Sequence, residues 1–391
     1  MMIELEKIQR LLKEYAMDGW IFTDFHGRDE ITKSFLSLSE RPATRRLFYI
    51  IYPYGEPVKI LSAIEPLLLD HLPGERRLYM GKEALKDELK KALLPGGRYA
   101  CQYSPEGNVP VVSTMDAGTL EFLRSFHIEP VSSANLLQYF GAVLTEKQID
   151  SHIRAGKFIH QILEDAFLWL RSQIDSGQQA DEWLLLQKLK ALIKETPLVM
   201  EEPPFLGVDE HASDPGYEPE QEKCKVICEG SRLIIDIAGK LPDKDAIYYD
   251  ISWCMYVGKN PDEEYVRLFN IVWEAREAVR AAIAEALSEG RLLKGCEADA
   301  LTRHIFEKYG MSAFIKHRTG HNIGCKCHGT GTNLDDFETH DDRYLIPGTM
   351  FSVEPGLYTE NYGVRLEYDV YITPEKEIKI FGPVQNEILC I

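Results

Sequence analysis

Apolar positions along the chain switch between helical and strand spacing, and the switches lay out its elements. Ile3, Leu5, Ile8, Leu11, Leu12 and Tyr15 recur at near-helical intervals and predict a helix over 3–17. An apolar run over Trp20–Thr23 predicts a strand. Leu47–Tyr52 and Val58–Ile60 flank Pro53-Tyr54-Gly55-Glu56-Pro57, where Pro and Gly predict a hairpin turn. Helical patterns over 82–94 and 115–126 alternate with short strands over 99–103 and 128–131. Residues 1–142 therefore read as an α/β domain with no chemistry of its own. His26 and Asp29, in the loop after Thr23, are in reach of a substrate but read as solvated or capping residues.

The pattern changes near Ala142–Thr145. Thr145-Glu146-Lys147-Gln148 is a capping box, with Thr at the N-cap and Gln three residues on. It opens a long helix to about Ser172, carried by Ile149, Ile153, Phe158, Ile162, Phe167 and Leu170, and a second helix spans 179–194. Pro203-Pro204 and Asp214-Pro215-Gly216 break the chain before two strands that carry Asp236 and Asp250. The same order then recurs: a helix over 261–288, another over 297–309, and strands carrying Glu354 and Glu367. The acids are 14 residues apart in the first set (250 minus 236) and 13 in the second (367 minus 354). Residues 143–391 thus read as two related halves, and the whole chain as α+β.

Composition narrows the classes. A chain of 391 residues is long for one core and fits two domains. A formal charge of −18 argues against nucleic acid and anionic membrane as partners, since both select basic surfaces. The opening Met-Met-Ile-Glu-Leu-Glu-Lys is charged and has no apolar h-region, so no secretory leader is expected. No run of about 18 apolar residues predicts a membrane span. Eight cysteines without small-domain spacing suit reduced thiols in a cytoplasm.

Chemistry concentrates in the second domain. Carboxylates inside apolar strand-like runs are costly to bury unless paired or metal-bound, and Asp236, Asp250, Glu354 and Glu367 are four such acids. Between the two sets lies His317-Arg318-Thr319-Gly320-His321-Asn322-Ile323-Gly324-Cys325-Lys326-Cys327-His328, with imidazoles four and seven residues apart and glycines that permit close approach. Alone, the stretch is ambiguous between a metal site and half a structural zinc site. Four acids and one histidine make a five-ligand set located between the halves. No second Cys pair has zinc-site spacing, so Cys325 and Cys327 read as bystanders.

In order and chemical type, these residues resemble the pita-bread metallopeptidases: methionine aminopeptidase, aminopeptidase P, prolidase and creatinase. The additional N-terminal α/β domain is similar to that of the aminopeptidase P, prolidase and creatinase branch. The resemblance implies a pita-bread fold over 143–391 and a dinuclear centre. Asp236 would chelate one metal, Asp250 and Glu367 would bridge both, and His321 with Glu354 would complete the other. The oxygen-rich set suits manganese, with cobalt, iron or zinc as alternatives. Ions about 3.5–4 Å apart lower the pKa of a shared water and supply a bridging hydroxide to attack the scissile carbonyl. Glu354 would shuttle the proton; His317 and His328 would position substrate and stabilise the oxyanion; Arg365 and Tyr358 would support the bridging acids and reacting centre.

The implied function is hydrolysis of the N-terminal Xaa-Pro bond of short peptides by an aminopeptidase or dipeptidase, as a cytoplasmic homodimer. Alternatives are a metal-free, creatinase-like hydrolase of a small amidino compound and a non-catalytic peptide-binding relative. This chain departs from the family pattern at several positions. Gly216 stands where a histidine is usual, with His211 five residues earlier as a candidate substitute. The first metal aspartates are spaced by a 241–245 hairpin loop that offers Asp243 and Asp245 as rival ligands. Ser252-Trp253 replaces a common Thr-Arg pair, and Gly329 replaces an acidic residue. Residues 329–349 read as a polar lid or pocket wall.

Overall fold

The computed structural model describes residues 4–38 and 43–391; Ile3, counted in the first apolar stripe, lies outside them. The chain divides into two compact units, Met1–Tyr139 and Phe140–Ile391.

The first unit is built on α1 (Leu5–Glu14), β1 (Gly19–Asp24), α2 (Glu30–Phe35), β2 (Leu47–Ile51), β3 (Val58–Ser62), β4 (Glu75–Tyr79), α3 (Gly81–Ala92), β5 (Arg98–Cys101), α4 (Ala117–Arg124), β6 (Glu129–Ser132) and α5 (Ala134–Gly141). Its mixed sheet has the order β4-β3-β2-β1-β5-β6. Strand alternation divides β1 between two cores. Ile21 joins Phe48, Ile60, Leu85, Leu89 and Leu123 on one face, while Trp20 and Phe22 stack with Phe35 of α2 on the other. The hairpin expected around Gly55 is the antiparallel β2–β3 pair. Asp29 is a cap: its carboxylate accepts from Thr32 N–H at 3.0 Å, and His26 is exposed. β4 escapes the apolar pattern because Glu-Arg-Arg-Leu-Tyr is a polar, largely exposed edge strand.

The second unit contains two sets of elements. The first is α6 (Glu146–Asp175), α7 (Glu182–Lys194), β7 (Phe205–Val208), β8 (Arg232–Gly239) and β9 (Tyr249–Tyr256). The second is α8 (Glu263–Ser288), α9 (Gly295–Lys308), β10 (Asn322–Ile323), β11 (Met350–Val353), β12 (Gly356–Tyr358), β13 (Gly363–Arg365), β14 (Tyr368–Ile372) and β15 (Ile378–Ile380), and β16 (Leu389–Cys390) returns to pair with β9. Thr145 and Gln148 close the expected capping box on α6.

Period-two alternation decides which side chains face the helices and which face inward. Leu233, Ile235 and Ile237 of β8, with Tyr249, Ile251 and Met255 of β9, pack on Ile159, Ile162, Leu163 and Leu170 of α6. The intervening positions, Asp236, Asp250 and Ser252, project from the opposite face. In the second half, Phe351 and Val353 of β11 and Val370 and Ile372 of β14 pack on Val279 and Ile283 of α8. Ser352 and Asp369 take the inner face in turn.

The second set departs from the expectation of acids inside strands. Glu354 falls between β11 and β12, and Glu367 between β13 and β14. Pro355 has no N–H to contribute to a ladder, which explains the interruption. The freed backbone is held elsewhere: Glu354 N–H donates to Thr319 O at 2.8 Å, and Glu367 N–H donates to Ser252 O at 3.4 Å.

Residues 329–349 are anchored by a buried brace, with Asp336–Glu338 and His340 exposed. Arg343 is fully buried and donates to Asp341, Thr330 O and Gly331 O, and Leu334 bridges to Gly320. None of these residues lines the pocket described below.

Candidate metal centre

The inward positions of both halves converge with the histidine stretch on a cavity of about 260 Å³. Asp236, Asp250, His321, Glu354 and Glu367 all line it, so the five expected ligands are brought together. On the first half, Asp236 lies opposite Ser252 and Ala238 opposite Asp250, which makes the two aspartates diagonal neighbours on one face. His321 Nε2 is 3.6 Å from Asp250 Oδ2 and 3.3 Å from Glu354 Oε1. The stretch is carried against β11 because Gly320 has no side chain: a Cβ there would lie 2.1 Å from Ser352 O. His321 N–H then donates to Ser352 Oγ at 3.0 Å.

Ser252 and Arg365 tie the acids together. Ser252 Oγ lies 2.6 Å from Asp236 Oδ2 and 2.9 Å from Glu367 Oε2, and it accepts from Arg365 Nε at 2.8 Å. Arg365 Nη2 is 2.7 Å from Asp236 Oδ2, while Nη1 donates to Tyr358 OH at 3.2 Å. Tyr358 OH is in turn 2.6 Å from His317 Nε2. His328 faces the pocket with its ring 4.3 Å from that of His321. His317 is set back behind Tyr358 and does not line the cavity.

Electrostatically the site is a cluster of buried acids in excess of its cations. Burial, followed by repulsion from Asp236 and Glu354, holds the Asp250 carboxyl well above the usual carboxylate range. Burial and the neighbouring Asp250, Glu354 and Asp236 do the same to Glu367. Burial pushes His321 down to about 3, so its imidazole is a neutral donor. Burial also works against the Arg365 guanidinium, but Tyr358, Asp236, Glu354 and Glu367 together hold its pKa above the usual value.

The residues fit a divalent ion on their own evidence. Asp250 Oδ1 and Glu367 Oε1 are buried with no hydrogen-bond partner, an expensive state for a carboxylate unless a cation faces it. Donor atoms of Asp236, Asp250 and Glu367 lie within 4.8 Å of one another, as do those of His321, Glu354 and Glu367.

Three residues were missed by sequence reasoning. Ser252 shares the face of Asp236 and Asp250, and Asp369, two residues beyond Glu367, accepts from Asp250 N–H at 2.8 Å; both could have been found by alternation. Cys327, read as a bystander, lies in the site, its Sγ donating to Asp250 Oδ2 at 3.1 Å. Cys325 is exposed.

The departures also resolve. His211 is bound to the buried Glu182 at 2.9 Å and does not replace the missing histidine; Gly216 is exposed beside Pro215, which does line the pocket. Asp243 and Asp245 lie in an exposed loop away from it. Trp253 points to the opposite face of β9, into an apolar cavity of about 350 Å³ with Leu163, Phe167 and Leu389, where no acid cluster converges. Gly329 is required sterically, since a Cβ would lie 2.2 Å from Asn322 Oδ1.

The chain is similar to known proteins in sequence and in fold. The model of metallopeptidase family M24 matches residues 150–374, more than half of the chain. A probable dipeptidase PepE of Mycobacterium bovis is 24% identical over 257 residues, covering 64% of this chain and 61% of that protein. The chain thus aligns with less than two thirds of that relative's length. An Xaa-Pro dipeptidase of Pyrococcus furiosus is 29% identical over 166 residues, 42% of this chain and 43% of its own. In fold, the crystal structure of dipeptidase PepE from Mycobacterium ulcerans matches with a TM-score of 0.62 at 17% identity, over 99% of this chain and 96% of that one. The expected pita-bread architecture, with its mixed N-terminal unit, is therefore present. Two acid-bearing halves enclosing one histidine stretch, and a family match that spans both, make this chain a member of metallopeptidase family M24.

Proposed function

We propose that the chain is a two-metal exopeptidase that hydrolyses the bond between the N-terminal residue of a short peptide and a following proline. The observation that carries this reading is the convergence of Asp236, Asp250, His321, Glu354 and Glu367 on one small cavity, with buried carboxylate oxygens that lack protein partners. In the proposal, residues 143–391 carry catalysis and residues 1–142 form the accessory domain. Two divalent ions, manganese being the first choice for so many oxygen donors, would activate water and polarise the scissile carbonyl when bound.

The chain's own residues divide the remaining work. Asp236, Asp250, His321, Glu354 and Glu367 would hold the ions, with Asp250 and Glu367 the candidates to be shared between them. Glu354 would also carry the proton, being less enclosed than Asp250, the other acid within 4 Å of His321. His328, exposed at the cavity, orients the peptide. Tyr358 points its hydroxyl at Arg365 and His317, so the three act as a relay that fixes Asp236 and Glu367. Pro203, Phe205, Pro215 and Tyr248 give the cavity an apolar wall that suits a proline ring. Its volume lies just below the roughly 300–1,000 Å³ of typical small-ligand pockets, which favours a short peptide. A cytoplasmic homodimer completes the reading; all eight cysteines are free, as a reducing compartment requires, and no described helix is long and apolar enough to cross a membrane.

The test is hydrolysis of an Xaa-Pro dipeptide and an Xaa-Pro-Yaa tripeptide by manganese-loaded protein, beside non-proline controls and a chelated sample. Chelator-sensitive cleavage before proline supports the proposal, and the preferred length separates dipeptidase from aminopeptidase. No cleavage with metal bound would point to the non-catalytic alternative.

A further inference from the structure

Cys327 lines the cavity in contact with Asp250, yet it has no part in the five-ligand set. We propose that its Sγ is a metal donor, so that one ion position is built by Asp250, His321 and Cys327 and selects ions that accept sulfur. The inference rests on the two-metal reading and adds a ligand to it.

Geometry supplies the first argument. The donor atoms of Asp250, His321 and Cys327 all lie within 4.8 Å of one another, and all three residues are buried. That span is about the width of a coordination sphere with bonds of roughly 2.0–2.3 Å. A second observation points to a cation beside this triad. Asp250 is 5% exposed and Glu367 3% exposed, yet Asp250 Oδ1 and Glu367 Oε1 have no protein partner. The Cys327 thiol engages only the other Asp250 oxygen, at 3.1 Å. A cation beside the sulfur would satisfy what the thiol leaves unmatched.

On binding, the S–H bond breaks, the proton passes to solvent, and the sulfur lone pair forms the metal–sulfur bond; no oxidation occurs. Thiolate and imidazole donors favour zinc, cobalt or iron over manganese, whereas the cluster of Asp236, Asp250 and Glu367 offers oxygen alone and suits a harder ion. The two positions would therefore differ in preference, and a mixed pair of ions becomes the expected occupant.

Cobalt reports the sulfur directly. The full chain is loaded with Co²⁺, its cobalt content is measured, and the near-ultraviolet sulfur-to-cobalt charge-transfer band is recorded for wild type, Cys327→Ser and Cys325→Ser. The band is expected in wild type and in Cys325→Ser, whose thiol is exposed, and is expected to vanish in Cys327→Ser. In competition titrations, Cys327→Ser should lower zinc affinity about tenfold or more while changing manganese affinity less than about twofold. Full cobalt occupancy without the band in wild type, or a band that survives Cys327→Ser, overturns the sulfur donor and leaves the carboxylate centre standing. A wild-type chain that binds no cobalt overturns both.

Discussion

The two halves of the second unit deliver the same kind of candidate ligand by different local means. In the first half, Asp236 and Asp250 are ordinary positions in the long paired strands β8 and β9, aimed inward by alternation alone. In the second, Glu354 and Glu367 occupy interruptions between short strands, and their backbone N–H groups bond to Thr319 and to Ser252. The first pair is thus aimed by its own sheet and then tied to the second half through Asp369 and Arg365, while the second is fixed by the histidine stretch and by the backbone of the opposite half. An acid held by a neighbour's backbone couples the two halves, so the centre exists only where they meet.

The largest effect should come from removing a candidate ligand of the strand-borne pair. Asp250→Ala should lower metal affinity by more than about 100-fold, beyond the cost of losing an outer partner, and reduce hydrolysis to the chelated background with the chain still folded. Normal activity in that variant would sink the ligand assignment.

Arg365 crosses between halves to Asp236 and Ser252. Arg365→Ala leaves buried carboxylates without their cation and should destabilise the metal-free chain by about 3–5 kcal/mol. Added metal should restore much of that loss; a melting temperature unchanged from wild type would contradict the coupling.

His152 of α6 tests the packing at the start of β9, where it also lies 3.9 Å from Asp369 Oδ2 of the second half. Its Nδ1–H donates to Tyr248 O at 2.7 Å, just ahead of β9. Burial lowers its pKa from 6.5 to about 4. A depressed histidine contributes stability that is fully present above 6.5 and is lost as the pH falls to about 4. The loss should be roughly 3 kcal/mol across that window, and His152→Gln should remove it. An identical slope in urea titrations of both proteins would refute the assignment.

Ser252 is a smaller link between the same acids. Ser252→Ala should reduce metal affinity about 10- to 100-fold without unfolding the chain, as read by competition with a chromophoric chelator. The smallest effect belongs to Asp243→Ala in the exposed 241–245 loop, expected within about 0.5 kcal/mol of wild type in stability and unchanged in metal content. Lost metal there would revive the rival ligand.

The contrast between the halves also explains what could be read from the chain. Helices announced themselves by apolar stripes and by the Thr145 cap, and the inward face of β8 and β9 followed from parity. The repeated helix-helix-acid order exposed the two halves, and four of the five candidate ligands stood out as acids in apolar surroundings. What stayed hidden depended on contacts remote in sequence. Cys327 meets Asp250 77 residues away, and nothing local marks it. The breaks at Glu354 and Glu367 owe their stability to Thr319 and Ser252; Pro355 marks the first locally, while nothing beside Glu367 marks the second. The polar 329–349 segment resembled a lid because its burial comes from Arg343 and Asp341 pairing with each other and with the segment's own backbone, which composition does not reveal.

The most direct test of a centre shared between the halves is anomalous diffraction from crystals soaked in a divalent transition metal. The account predicts two peaks in the cavity, one within about 2.0–2.3 Å of donors from Asp236, Asp250 and Glu367, the other within the same distance of His321 and Glu354 together with an acid from the first half. No peak in the cavity, or a single ion held by the acids of one half alone, would contradict it.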